Sequence, residues 1–361
     1  MKTKITRYSR RVVIFTGMLF MSVLLWNCDT QDLEFIDPYE FVNDDFDGIP
    51  DLSEVIDEDP EIVEPEVGTV EKSAETQALI SDILNAGATG EISQESKEKL
   101  QSVETYTQQL SAAVNEQAQN LTTADIANIL DPAQELNADL EQLRESLKSA
   151  PASVRALLPK IQLTVDFEDL PGTAAQANAQ AQPSYTPFDA FMQTVSGPCA
   201  DAAYAAYDAK ILLLTEQRDA NFFIIESNYA RRLDEADDRL VERQNAQADR
   251  LETIRTEMID ATGDILAAAE EAESLGETET AAQLRQLALL YAVDARTALA
   301  EWNGLVLELL EVRMTQEKAQ ALAIREAKTA EVTTEFLAAK TQADAILQQS
   351  LEDCHNQGSG N

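Results

Sequence analysis

The chain holds a single histidine, three cysteines and two tryptophans in 361 residues, and only 6% of it is aromatic. The lone His355 sits beside Cys354 near a polar, glycine-containing C-terminus. It has no second histidine to build a metal centre with and no credible triad partner, so its role is structural or incidental. The 12 glycines are scattered singly, which leaves no glycine-rich loop to cradle a phosphate. Scarce aromatics argue against an exposed platform for stacking on sugars. Positive charge is short as well: 27 Lys and Arg stand against 65 Asp and Glu, a formal net charge of −38. Such a field repels phosphates and anionic lipid, so no nucleic-acid partner is expected.

What is present starts with an export pattern. Lys2, Lys4, Arg7, Arg10 and Arg11 precede an apolar run from Val12 to Trp26. That run is short for a membrane span and has the layout of a secretory signal. It ends in Leu25-Trp26-Asn27-Cys28, which resembles a bacterial lipobox, although Trp26 and Asn27 replace the usual small residues. The following Asp29-Thr30-Gln31-Asp32-Leu33-Glu34 resembles the acidic surface-display signal of Bacteroidetes-type lipoproteins. The resemblance implies that residues 1–27 are a signal peptide, that Cys28 is lipidated, and that the chain is anchored in the outer membrane, exposed at the cell surface. A soluble secreted protein with a chance cysteine is the alternative. Losing 1–27 removes five positive charges and no negative ones, moving the formal charge from −38 to −43. Lipidation of Cys28 would also leave Cys199 and Cys354 as an even pair in an exported chain, which is the arithmetic of a disulfide.

Residues 28–71 read as an acidic tether. They contain seventeen Asp or Glu and no Lys or Arg, with Pro38, Pro50, Pro60 and Pro65 breaking any regular structure. Like charges repel and prolines stiffen, so an extended, mostly disordered spacer is expected. Within it, NDDFDGIPDLSE at 43–54 spaces its oxygens as a calcium loop does: Asn43, Asp45, Asp47, Asp51 and Glu54 as side-chain ligands, the Ile49 carbonyl between them, and Gly48 at the sharp turn. Asp47-Gly48-Ile49-Pro50-Asp51 resembles a thrombospondin type 3 calcium repeat, which would make calcium a structural cofactor. Chance matching inside an Asp-rich stretch is the competing explanation.

The composition changes after residue 71 to Ala, Gln, Glu and Leu, and the fold class expected is all-α. Residues 72–160 read as a domain of short helices at roughly 72–86, 92–119, 123–130, 133–149 and 152–160. Thr123 is placed to cap the third, and Asp131 the fourth with Pro132 at its first position. Residues 161–198 form a linker, with IQLTVDFEDL as a short strand or extended segment and a low-complexity run behind it.

The clearest signal lies in residues 199–354. Leu284, Ala288, Tyr291, Ala295, Ala298, Trp302, Leu305, Leu309 and Val312 step by four and three, as do Leu251, Ile254, Met258, Ala261, Ile265 and Ala268. Ser274-Leu275-Gly276-Glu277-Thr278 interrupts the pattern, and the midpoint between Cys199 and Cys354 falls on it. A long antiparallel coiled-coil hairpin turning near 274–278 follows, with arms on the order of 110 Å if straight and the cysteines meeting at its open end. A straight parallel coiled coil and a compact bundle are the alternatives. Ile211–Leu214 and Phe222–Ile225 are apolar on more than one face and need a third partner, for which the helices of 72–160 are the nearest candidate. Residues 355–361 read as a disordered tail.

No catalytic set emerges. Glu270-Glu271 and Asp237-Asp238 lie on solvated helix faces, and Asp234, Glu235, Asp237 and Asp238 alternate with Arg231, Arg232 and Arg239 as surface ion pairs do. The expected function is a non-enzymatic lipoprotein with a structural or interaction role through its coiled coil. Its partner would be another envelope protein or a second copy. A calcium-dependent accessory for binding extracellular glycans or proteins is the alternative.

Overall fold

The computed structural model describes residues 44–89, 91–163 and 196–357. The expected signal peptide, Cys28, the first part of the expected tether, Asn43, most of the 161–198 linker and the end of the tail lie outside the described residues. The protein is all-α save for one small sheet. Its elements are α1 (Asp44–Asp47), β1 (Thr69–Glu71), α2 (Ala74–Thr89), α3 (Gln94–Thr107), α4 (Ala112–Gln119), α5 (Thr123–Leu130), α6 (Ala138–Leu147), α7 (Ala152–Arg155), β2 (Lys160–Gln162), α8 (Pro198–Ser274) and α9 (Thr278–Gln357). Two compact units share the long helices: one takes residues up to 53, 183–219 and 333–361, the other 54–182 and 220–332.

Helices α8 and α9 form the expected antiparallel hairpin. In the larger unit, Arg325 meets Glu226, Lys318 meets Asp237 and Asn303 meets Gln247, so one number falls as its partner rises. The turn is a Schellman cap. Gly276 at φ 80° lets the Glu277 N–H reach the Ala272 carbonyl and the Gly276 N–H reach that of Glu273, both at 3.0 Å. A side chain at that φ would be strained, which is why glycine stands there.

The short helices do not keep a core to themselves. Leu79, Ile83, Leu100, Ile126, Leu143 and Val154 share one continuous cluster with Met258, Ile265, Leu284, Tyr291 and Trp302 of the hairpin. From Thr280 to Leu299, α9 is buried on nearly all sides, as the central helix of a bundle must be. Ala268, Ala269 and Ala272 of α8 and Ala281, Ala288 and Ala292 of α9 belong to the same cluster. Small side chains there let neighbouring backbones come close. The bundle therefore gathers at the hairpin turn, and not around residues 211–225 as the sequence suggested. Leu214 and Ile225 are buried without it, while Leu212, Leu213 and Phe223 stay exposed.

Local chemistry accounts for the remaining differences from expectation. The run 92–119 breaks because the Ser111 hydroxyl caps α4 by accepting from the Val114 N–H. Thr122, one residue before the expected cap, forms a capping box with Asp125. Asp131 starts no helix. Its carboxylate accepts from the Ala133 N–H, a local bond that competes with helix initiation, and α6 begins later behind Asn137. The extended segment after 160 contributes three residues, with Lys160, Ile161 and Gln162 pairing antiparallel to Glu71, Val70 and Thr69. Gly68 precedes β1 at φ 63°, close against the Gln162 backbone where no Cβ fits.

The smaller unit is simpler. Phe46 and Ile49 plug a space lined by Ala200, Ala203 and Leu214 of α8 and Ala339, Ala343, Leu347 and Leu351 of α9. Beyond it, Cys199 and Cys354 are joined in a disulfide with a Cα–Cα separation of 5.8 Å.

Candidate functional site

The stretch read as a calcium loop is best built from its apolar residues. Phe46 and Ile49 are three apart, and one helical turn puts both on the buried side. They are 2% and 3% exposed. Asp45, Asp47 and Glu54 are exposed on the other side. The Ile49 carbonyl accepts from Lys210 Nζ at 2.7 Å, and the same ammonium lies 3.3 Å from Asp51 Oδ1. Hydrogen bonds from Gln217 and then Lys210 hold the Asp51 carboxyl below its usual pKa. Two of the six proposed calcium ligands thus already serve a cation of the chain itself, and a calcium ion would have to displace Lys210 from them. Among the described residues, no three His, Cys, Asp or Glu side chains are grouped to hold a metal ion.

From 51 to 68 the chain carries no helix or strand, as its prolines require, and it is laid against the hairpin. Leu52, Val55, Pro60, Ile62, Pro65 and Val67 are partly covered, while Glu58, Asp59, Glu61, Glu64 and Glu66 are exposed. In the larger unit the helices clasp this strap at short intervals. The Val55 N–H donates to Asn221 Oδ1 and Asn228 donates to Asp57. Arg232 donates to the Asp57 carboxylate, to the carbonyls of Asp57 and Glu58, and to Asp59. Further on, Arg313 holds the Val63 carbonyl, Arg243 grips Glu64 through two bonds, Trp302 Nε1 donates to Val67 and Arg250 to Gly68.

The geometry of this strap is close to the limit of the chain. The thirteen steps of chain from Val55 to Gly68 run beside the 29 steps from Asn221 to Arg250. At about 1.5 Å per helical residue that is ~44 Å, or roughly 3.3 Å per strap residue, a fully extended backbone.

Beneath the strap lies a charged layer. The Arg232–Asp57 pair is 5% and 2% exposed, and Glu317, 3% exposed, lies within 3.5 Å of Arg239, Arg243 and Arg313. Arginine suits such a place, since its planar fork holds several oxygens at once. The guanidinium of Arg231 keeps Asp59 ionised to lower pH than usual, and that of Arg243 does the same for Glu64. The pairing of Arg231 and Arg239 with Glu235 matches the sequence reading. The strap-facing role of Arg232, Arg243, Arg250 and Arg313 was not foreseen. The signal for it was the apolar or proline residues that recur among the acids from 52 to 67, at Leu52, Val55, Pro60, Ile62, Pro65 and Val67.

The chain matches no protein-family model, no curated protein and no solved structure. Its own geometry is what there is to reason from.

One further grouping, in the smaller unit, brings titratable side chains together. Tyr207 donates to Asp344 at 2.6 Å, and Lys340 holds both oxygens of that carboxylate at 3.0 Å. Burial, then Asp344, pushes the Tyr207 hydroxyl up to about 12. Each member is satisfied by the others, so the trio ties the two helices together and offers no free base. Among the described residues no helix is long and apolar enough to cross a membrane.

Proposed function

We propose that the chain is a non-enzymatic lipoprotein of the outer membrane or cell surface, anchored through Cys28, that works by protein contact along its paired helices. The observation that supports contact is on α9. Leu305 and Val312 are seven residues apart in the apolar repeat whose other members are buried, yet they are 46% and 40% exposed. Phe223 and Val241 stand 74% and 55% exposed on α8. They are 18 residues apart, about five helical turns, and so lie on one side of it. Apolar residues at heptad spacing on an open helix face suit the knobs-into-holes packing of another helix, from a second copy or from another envelope protein.

The test is sedimentation of the purified exported chain beside its Leu305→Lys/Val312→Lys variant, with co-purification of envelope proteins from the native membrane. A complex that the substitutions dissolve supports the reading. A monomer that captures nothing, in both chains, ends it. The anchor is tested separately by fatty-acid labelling, which Cys28→Ser should abolish.

A further inference from the structure

The bundle holds one buried acid that the chain does not neutralise. Asp294 on α9 is half-buried, and no guanidinium, ammonium or hydroxyl is bonded to its carboxylate. It lines a cleft of about 470 Å³ together with Arg155 of α7 and Lys160 of β2, over an apolar wall that includes Leu147, Leu158 and Pro159. Neither cation makes an ion pair with a described residue, and both are exposed. In a chain with 65 acidic residues and 27 basic ones, two unpaired cations beside an unpaired buried carboxylate are unusual company.

Every other charged or titratable group that bears on Asp294 is committed or repulsive. Glu301, one side of α9, is of the same sign and adds to the effect of burial, which lifts the Asp294 carboxyl to about 6. Tyr106 of α3 feels its charge but shares its hydroxyl with Ser146 at 2.9 Å. Tyr291 feels it too and is bonded to the backbone of Ser73. Arg155 and Lys160 line the same cleft, and neither is bonded to the Asp294 carboxylate. Holding a carboxylate in this state costs the fold stability, and a bound cation would return it.

We propose that this cleft binds a small zwitterion, its ammonium on Asp294 and its carboxylate on Arg155 and Lys160, and that a free dipeptide is the class of ligand that fits. The volume lies in the range of small-molecule sites. Two residues of extended chain set the terminal charges roughly 6–7 Å apart, a span that a cleft of about 470 Å³ with an acid and two cations in its lining can hold. The inference is independent of the contact role of the helices.

Calorimetric titration of the exported chain with alanyl-alanine at about pH 7.5 tests it, with N-acetyl-alanyl-alanine and alanyl-alanine amide as controls. Saturable 1:1 binding with a Kd of about 1 mM or tighter is expected, weakened roughly tenfold or more when either terminus is blocked. Asp294→Asn should abolish it, and Arg155→Ala/Lys160→Ala should weaken it while removing the preference for a free carboxylate. Binding should also fade as the pH drops through about 6 and Asp294 takes up a proton. Circular dichroism and urea denaturation of Asp294→Asn establish that the variant is folded. No saturable heat, equal binding of the blocked peptides, or binding unchanged in a folded Asp294→Asn would overturn the proposal.

Discussion

The two units of the hairpin solve the same problem with unequal means. The larger has a continuous core of 44 buried apolar residues, built by wrapping six short helices around the turn. Among the described residues the smaller has nine, and two of those come from a single turn of the preceding chain. A core so small contributes little, and small domains commonly add a covalent staple. The disulfide is found in the smaller unit. Within the larger unit, α8 and α9 also pack along a charged layer covered by an acidic strap.

Removing the staple should have the largest effect. Cys199→Ser/Cys354→Ser opens a loop of 155 residues, worth roughly 4–5 kcal/mol on the chain-entropy model. Limited proteolysis should show first cuts in the smaller unit. Cuts first in α2–α7 would mean that its core stands without the link. Next comes Trp302→Ala, which empties a fully buried site and removes the hydrogen bond to Val67. A loss of about 3–5 kcal/mol in urea denaturation is expected. The charged layer should yield somewhat less: Asp57→Ala leaves the Arg232 guanidinium buried without its main partner, a loss of about 3 kcal/mol. Asp57→Leu with Arg232→Met should recover most of it. A single substitution without effect would show that the strap does not hold the helices.

The fourth effect has the opposite sign. The folded-state pKa of Asp294 is raised from 3.8 to about 6, so ionising it above that pH weakens the native state relative to the unfolded one. The stability that its neutral form retains is fully present below about pH 4 and is lost as pH rises through about 6. Asp294→Asn should therefore stabilise by about 2 kcal/mol at neutral pH, and the gain should shrink to nothing in acid. The smallest effect expected is that of calcium. With Lys210 on the Ile49 carbonyl and Asp51, calorimetry should record no saturable heat. A 1:1 transition lost in Asp51→Ala would restore the loop reading.

The all-α hairpin was legible because its signals are local and repeated: a 3.5-residue apolar period, one glycine at the break, and two cysteines equidistant from it. Gly276 and the Cys199–Cys354 bond followed directly. The placing of the bundle was not legible, since the apolar periods of α2–α7 say which faces are buried without saying against what. Charge hid the strap. Seventeen acids without a base read as repulsion, yet Asp57, Asp59 and Glu64 among them pair with Arg231, Arg232 and Arg243, some 170 residues away in the sequence. Leu305 and Val312 belong to the apolar stripe and are nevertheless exposed, because a heptad gives a stripe and not the width of what covers it. Asp294 carried no signal at all; its isolation exists only once α7 and β2 are in place.

The strap has no length to spare. A chain drawn out to roughly 3.3 Å per residue behaves as a fixed measure between its two ends. Adding one residue between Val55 and Gly68 would throw every later clasp out of step, and deleting one would leave a gap that nothing in the segment can stretch to close. Tension applied upstream of it would arrive at β1 undiminished, because there is no slack to take up first.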